Sequence, residues 1–189
     1  MQNTLQKKTG NRAIILIAGM VIQLCAGIIY MWSVFRGPIA ERLSWDLDKA
    51  TLTSSIMLAC FVLGILGGGR MQDKTGPKAA CIVGSLLMSV GIVLTGLVTP
   101  AAPWLVYITY GIMGGLGVGT VYTSTVAAIQ KWYPDKRGFA TGMTVCAFGF
   151  SLVLFAPVAN KMISAMGIST TFFISAVASL YYVVPAHCL

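Results

Sequence analysis

Hydrophobic positions along this chain gather into six long runs without a charged side chain, at about 13–35, 50–69, 79–99, 104–130, 138–160 and 170–184. Short polar and basic stretches separate them. A helix rising 1.5 Å per residue needs roughly 20 apolar residues to cross about 30 Å of hydrocarbon. Five of the runs reach that length. The sixth is shorter, but the uncharged sequence around it, from Met162 onward, leaves room to extend. The pattern predicts an all-α fold, a polytopic membrane helix bundle of six transmembrane helices. Residues 1–12 form a polar amino-terminal tail and 13–189 the membrane domain.

Composition agrees: 57% of residues are hydrophobic and only 10% charged, and the mean hydropathy of +0.82 lies outside the range of ordinary soluble domains. Charge adds an orientation. Lys7, Lys8, Arg12, Arg70, Lys74, Lys78, Lys131, Lys136 and Arg137 fall on one side of the predicted bundle, and Arg36, Arg42, Lys49 and Lys161 on the other. Basic loops stay in the cytoplasm, which predicts a cytoplasmic (inner) membrane protein with both termini cytoplasmic. The net charge of +8 is then mainly a signal of topology, beside anionic lipid. No basic cluster is interleaved with base-stacking aromatics, so nucleic acid is not an expected partner.

The first apolar run is too long for a signal peptide and is expected to remain as the first helix. Five cysteines, Cys25, Cys60, Cys81, Cys146 and Cys188, stand singly without a CxxC pair and read as packing residues. All five acidic residues, Glu41, Asp46, Asp48, Asp73 and Asp135, fall between spans, so no span offers a carboxylate for proton coupling. An intramembrane enzyme is disfavoured because there is no GxSG motif, no intramembrane aspartate pair and a single histidine, His187. A channel is disfavoured by the lack of an NPA pair or a TVGYG filter. No cofactor or metal is expected.

Within the spans, Gly111, Gly115 and Gly119 recur at intervals of four, which places them on one helix face and lets a neighbouring backbone approach. Gly64 with Gly68, and Gly138 with Gly142, repeat the spacing. Gln23 lies mid-span, where an amide must face protein or water. Tyr30 follows seven residues later on the same face, with Gly27 between. Trp32 is turned about 200° from Tyr30 and suits an interfacial belt. Gln23 and Tyr30 serve either as interhelical glue and belt or as substrate-facing groups. Tyr122 continues the glycine stripe among Thr120, Thr123, Ser124 and Thr125. Those hydroxyls either line an aqueous cavity or bond carbonyls of their own helix.

The stretch from Gly69 to Lys78 is a charged hairpin between two apolar runs. Gly69, Asp73, Lys74, Gly76 and Lys78 give it the spacing G-x-x-x-D-[RK]-x-G-x-[RK]. That spacing resembles the signature loop between helices 2 and 3 of the major facilitator superfamily. Here Gly69 is read as permitting close helix approach, Gly76 as supporting a turn, and Asp73 as a fixed anion in a basic loop. Three more segments, Gly27-Ile-Ile-Tyr-Met-Trp-Ser-Val-Phe35, Gly117-Val-Gly-Thr-Val-Tyr122 and Lys131-Trp-Tyr-Pro-Asp-Lys-Arg-Gly138, resemble the oxalate/formate antiporter branch.

The resemblance implies secondary active transport of a small organic anion, a mono- or dicarboxylate, by alternating access. It implies Tyr30 and Tyr122 as cavity aromatics, and Gln23, Trp32 and Phe148 join them as the candidate substrate-binding residues. Asp135 and Arg137 join the hairpin residues in a cytoplasmic gate. Two departures count against oxalate itself: Ile29 stands where the oxalate-specific member has glutamine, and Phe148 where it has tyrosine. Family members have twelve helices in two six-helix halves, with the substrate between them. This sequence matches the amino-terminal half alone. It is expected to be a fragment, a truncated reading frame or one subunit of a dimer. Its partners would be the organic anion, the bilayer, and either a carboxyl-terminal six-helix half or a second copy. The rival expectation is a transport-incompetent fragment.

Overall fold

The computed structural model describes residues 2–181, and every regular element among them is helical. Helices are the economical solution for such runs, because hydrocarbon offers no partner to a backbone amide and a helix satisfies its own. Helix α1 (Gln2–Ala26) passes through a 3-10 segment, Gly27–Met31, into α2 (Trp32–Leu43). After a short turn come α3 (Leu47–Thr75) and α4 (Pro77–Leu97). A π-helical stretch, Tyr107–Gly114, continues directly into α5 (Gly115–Trp132), and α6 (Arg137–Tyr181) completes the bundle.

The expected first span does not stop at residue 35. It tightens at Gly27–Met31, where a glycine precedes two β-branched isoleucines that favour the α-helix poorly, then continues helical to Leu43. Ser44 ends it in the left-handed region at φ 50°, its N–H directed at the carbonyls of Ala40 and Glu41.

Among the described residues four helices are long and apolar enough to cross a membrane: Leu47–Thr75, Pro77–Leu97, Tyr107–Trp132 and Arg137–Ala178. The apolar part of α1, Arg12–Ala26, is shorter. Six separate, uninterrupted spans are therefore not what the described residues display. The expected fifth and sixth spans run together in α6. Laid straight, 42 residues would measure about 63 Å, twice the hydrocarbon thickness. Gly167 resolves this with φ 79° and ψ 166°, outside the helical region. Phe155 and Ala159 before it line one cavity with Thr171 and Ser175 after it, so the chain folds back on itself there.

The predicted glycine face is the seam between α3 and the Tyr107–Trp132 helix. A Cβ on Gly64 would lie 2.5 Å from the Leu116 carbonyl, and one on Gly68 would lie 2.6 Å from the Thr120 Cα. From the other side, a Cβ on Gly115 would lie 2.5 Å from the Met57 carbonyl. Gly117 faces away from that seam, against Gly84 and Met88 of α4. The other predicted pair fails: a Cβ on Gly138 or Gly142 would meet nothing within 4 Å, because both lie on an exposed face of α6. Gly69 is not a close-approach residue either. A Cβ there would lie 3.7 Å from a Thr123 methyl, an ordinary contact, and Gly68 takes that role.

The two ends of the bundle are pinned differently. At one, Arg12 on α1 pairs with Asp135 in the turn before α6 at 3.1 Å. At the other, Arg42 donates to the Ser169 hydroxyl, and Tyr107 donates to the Lys49 carbonyl at 3.2 Å while stacking on Trp45. Between them Phe35, Phe172 and Tyr110 pack as a buried aromatic group.

Candidate functional site

Four aromatic rings from four different segments meet near the middle of the bundle. Tyr30 comes from the 3-10 segment, Phe61 from α3, Tyr122 from α5 and Phe148 from α6. Phe148 is the hub. Its ring centroid lies 5.3 Å from Tyr30, 5.2 Å from Tyr122 and 6.1 Å from Phe61, and Phe61 meets Tyr122 edge-on at 5.6 Å. The Phe61–Phe148 pair is stacked at 14° and the other three are edge-to-face, both favoured geometries for aromatic pairs. They hold the rings at fixed angles.

Beside this cluster opens a cavity of ≈ 220 Å³. Tyr30, Trp32, Phe61 and Phe148 form its aromatic wall, with Met57 and Leu58 adding apolar surface from α3. Its polar positions are Ser33, Ser54 and Arg36. The Ser33 hydroxyl donates to the Tyr30 carbonyl at 3.0 Å and the Ser54 hydroxyl to the Thr51 carbonyl at 2.6 Å. Each oxygen keeps acceptor capacity. Arg36 forms neither a hydrogen bond nor an ion pair with another described residue. The cavity thus combines flat apolar walls with one cation.

The residues expected to form a substrate site divide into two groups. Tyr30, Trp32 and Phe148 line the cavity, and Tyr122 stands behind Phe148. Gln23 is elsewhere. It is wholly buried, and its side-chain nitrogen donates to the Tyr122 carbonyl at 3.3 Å. The predicted Gln23–Tyr30 stripe is broken by the 3-10 turn. At 120° per residue rather than 100° from Gly27 onward, Tyr30 is turned about 60° from the place a regular helix would give it relative to Gln23. Trp32 is not a belt residue: it is buried, donates its indole N–H to the Ala50 carbonyl at 2.8 Å and lies 4.6 Å from the Tyr110 ring.

Of the hydroxyls around Tyr122, Thr120 bonds the Leu116 carbonyl of its own helix at 2.9 Å. The Thr123 oxygen is buried with no partner among the described residues.

The hairpin residues keep to their own end. Gly76 takes φ 89° between α3 and α4, a conformation open to glycine, and its N–H reaches the Gln72 carbonyl at 2.8 Å. Pro77 then opens α4. Asp73, Lys74 and Lys78 are exposed there, as are Asp135 and Arg137 in the second turn. The Arg12–Asp135 pair ties that second turn to α1.

Six cavity residues escaped the sequence reading, Ser33, Arg36, Ser54, Met57, Leu58 and Phe61, and two of them matter most. Phe61 precedes Gly64 by three positions and Gly68 by seven, so it shares the glycine face of α3, and that spacing was the available signal. Arg36 looked like a loop residue because the apolar run stops at Phe35. It is one helical turn beyond Trp32 inside α2.

Among the described residues no group of three or more His, Cys, Asp or Glu side chains is placed to hold a metal ion. What the cavity can do is bind: rings bracket a small flat body and a guanidinium meets an anion.

A family model of the Major Facilitator Superfamily matches residues 15–188. The oxalate:formate antiporter of Oxalobacter formigenes is 27% identical over 164 residues, covering 86% of this chain and 38% of that protein. Apicoplast pyruvate carrier 1 of Toxoplasma gondii is 30% identical over 152 residues, covering 79% of this chain and 27% of the carrier. Monocarboxylate transporter 13 of Bos taurus is 24% identical over 144 residues, covering 76% of this chain and 33% of the transporter. The matched part is thus well under half of each relative.

Proposed function

The chain belongs to the major facilitator superfamily, and from that premise we propose that it supplies the amino-terminal half of a secondary transporter for a small organic anion, a mono- or dicarboxylate. It is a multi-pass membrane protein in a family of transporters. The observation that carries the reading is the cavity that joins Tyr30, Trp32, Phe61 and Phe148 to the guanidinium of Arg36. Relatives named for oxalate and formate, pyruvate and monocarboxylates support the same substrate class.

In this reading α6 crosses the membrane twice, before and after Gly167, which completes six crossings with both termini cytoplasmic in the inner membrane. The aromatic cavity faces a second six-helix body, either a carboxyl-terminal half or another copy of the chain. Alternating access is rocking of the two bodies about the site between them. The Gly69–Lys78 hairpin and the Asp135–Arg137 turn close the cytoplasmic side, and no covalent chemistry is required.

The test is reconstitution in liposomes with labelled oxalate, formate and pyruvate. Uptake is measured for the chain alone and for the chain co-expressed with the carboxyl-terminal half of a relative. Saturable uptake in the paired sample, competed by unlabelled carboxylate, supports the proposal. Failure of both samples with every carboxylate, despite correct insertion, overturns it. Uptake by the chain alone identifies a second copy as the other half.

A further inference from the structure

Arg36 is a cation in an unusual place. It follows Arg12 by 24 positions of nearly continuous helix, about 36 Å at 1.5 Å per residue, so it lies near the far edge of the hydrocarbon. It is seven residues before the end of α2 at Leu43, and Ser54 is seven residues after the start of α3 at Leu47. The two therefore stand at similar depth, about 10 Å inside the connecting turn, on opposite walls of one cavity. An arginine that only reaches for lipid headgroups lies along an apolar outer surface. Arg36 is exposed, but at the rim of the cavity, which it lines with Trp32 and Ser33 of its own helix. Among the described residues no carboxylate pairs with it: the ion pairs there join Arg12 to Asp135 and Lys49 to Asp46.

We propose that Arg36 is the residue through which this chain binds the carboxylate of its substrate, at the mouth of the aromatic cavity. The inference rests on the transport reading above and adds the binding group. A guanidinium presents two parallel N–H donors to the two oxygens of a carboxylate. At the mouth of a low-dielectric cavity that contact is less screened than in water. The hydroxyl oxygens of Ser33 and Ser54 offer further polar contact, and the rings of Tyr30, Phe61 and Phe148 take the rest of a small, flat anion. The site discriminates by charge: a carboxylate enters, and the neutral amide of the same shape does not.

Trp32 provides a reporter inside the cavity. With Trp45, Trp104 and Trp132 replaced by Phe, the purified chain in lipid nanodiscs is titrated with oxalate, formate and pyruvate, and with the neutral amide of each. The expected result is a saturable change in Trp32 emission with the acids and none with the amides. Arg36→Gln raises the half-saturating concentration about tenfold or more, as loss of a charged hydrogen-bonded contact does. Arg36→Lys, which keeps the charge but not the fork, falls between. Arg36→Lys is also the variant to read if Arg36→Gln fails to elute as a folded species.

An unchanged half-saturation in these variants, an equal response to acid and amide, or no response of the parent chain overturns the proposal. Liposome uptake separates this from the broader reading. Absent uptake with the Trp32 response intact sinks transport alone, whereas uptake whose half-saturation ignores Arg36→Gln sinks the assignment of Arg36 alone.

Discussion

The indole nitrogen of Trp32 donates to the backbone carbonyl of Ala50 at 2.8 Å, with both residues buried. This bond ties the first residue of α2 to the first turn of α3, so the two walls of the cavity are spaced by a tryptophan rather than by the turn at 44–46. Trp32→Phe keeps the ring against Tyr110 and removes only the donor and part of the volume. The expected cost is about 1–2 kcal/mol, read as a lower unfolding temperature in detergent. On the proposed function the carboxylate half-saturation should rise as well, because the Tyr30 and Phe61 walls lose their spacing. An unchanged unfolding temperature would show that the bond contributes nothing to the fold.

Much of this was legible in the sequence because hydrocarbon imposes coarse rules. Uncharged runs marked the helices, Gly64, Gly68, Gly115 and Gly119 marked a close seam between two of them, and Gly76 marked a turn. What escaped was local. In a span where lipid and protein neighbours are both apolar, hydropathy cannot tell which face of a helix looks inward, so the 3-10 turn at Gly27–Met31 and the break of the Gln23–Tyr30 stripe left no trace in the pattern. Gly138 and Gly142 carried the same spacing as the packing glycines yet face outward, and only placement separates the two cases. Arg36 was hidden for the opposite reason: its charge ended an apolar run and so resembled a loop, although the helix continues for seven more residues.

The glycine seam gives a paired prediction. Gly64→Ala would put a methyl 2.5 Å from the Leu116 carbonyl and 3.0 Å from its Cα, both backbone atoms that move only with the whole helix. Gly142→Ala meets nothing within 4 Å. The first should destabilise by about 1–3 kcal/mol and reduce the folded yield. The second should be neutral or slightly favourable, since alanine is the better helix former. Thermal unfolding of the two variants side by side is the measurement, and equal effects would mean that α3 and α5 are not held at this seam.

The Arg12–Asp135 pair predicts a small effect. The side chains are 33% and 68% exposed at 3.1 Å separation, and ion pairs as wet as this couple by well under about 1 kcal/mol. A double-mutant cycle with Arg12→Ala and Asp135→Ala should give a coupling of about 0.5 kcal/mol in low salt that fades as the Debye length shrinks. A coupling of several kcal/mol that ignores salt would mean the pair is more deeply enclosed than its exposure indicates.

Gln23 allows stability and function to be pulled apart. It is wholly buried, its nitrogen makes one long bond of 3.3 Å to the Tyr122 carbonyl, and its Oε1 has no partner among the described residues. A buried acceptor without a donor costs about 1–3 kcal/mol, whereas the Tyr122 carbonyl, inside a helix, loses little when the glutamine goes. Replacement by an apolar residue of similar volume, Gln23→Met, should therefore leave stability unchanged or raise it, by up to about 1 kcal/mol. If Gln23 serves only to join α1 to α5, transport is also unchanged. If it holds Tyr122, and through it the Phe148 hub, in the arrangement that substrate needs, the reconstituted transporter becomes slower while its unfolding temperature does not fall. A marked loss of stability in Gln23→Met would contradict both outcomes and would mean that Oε1 has a partner within the bundle.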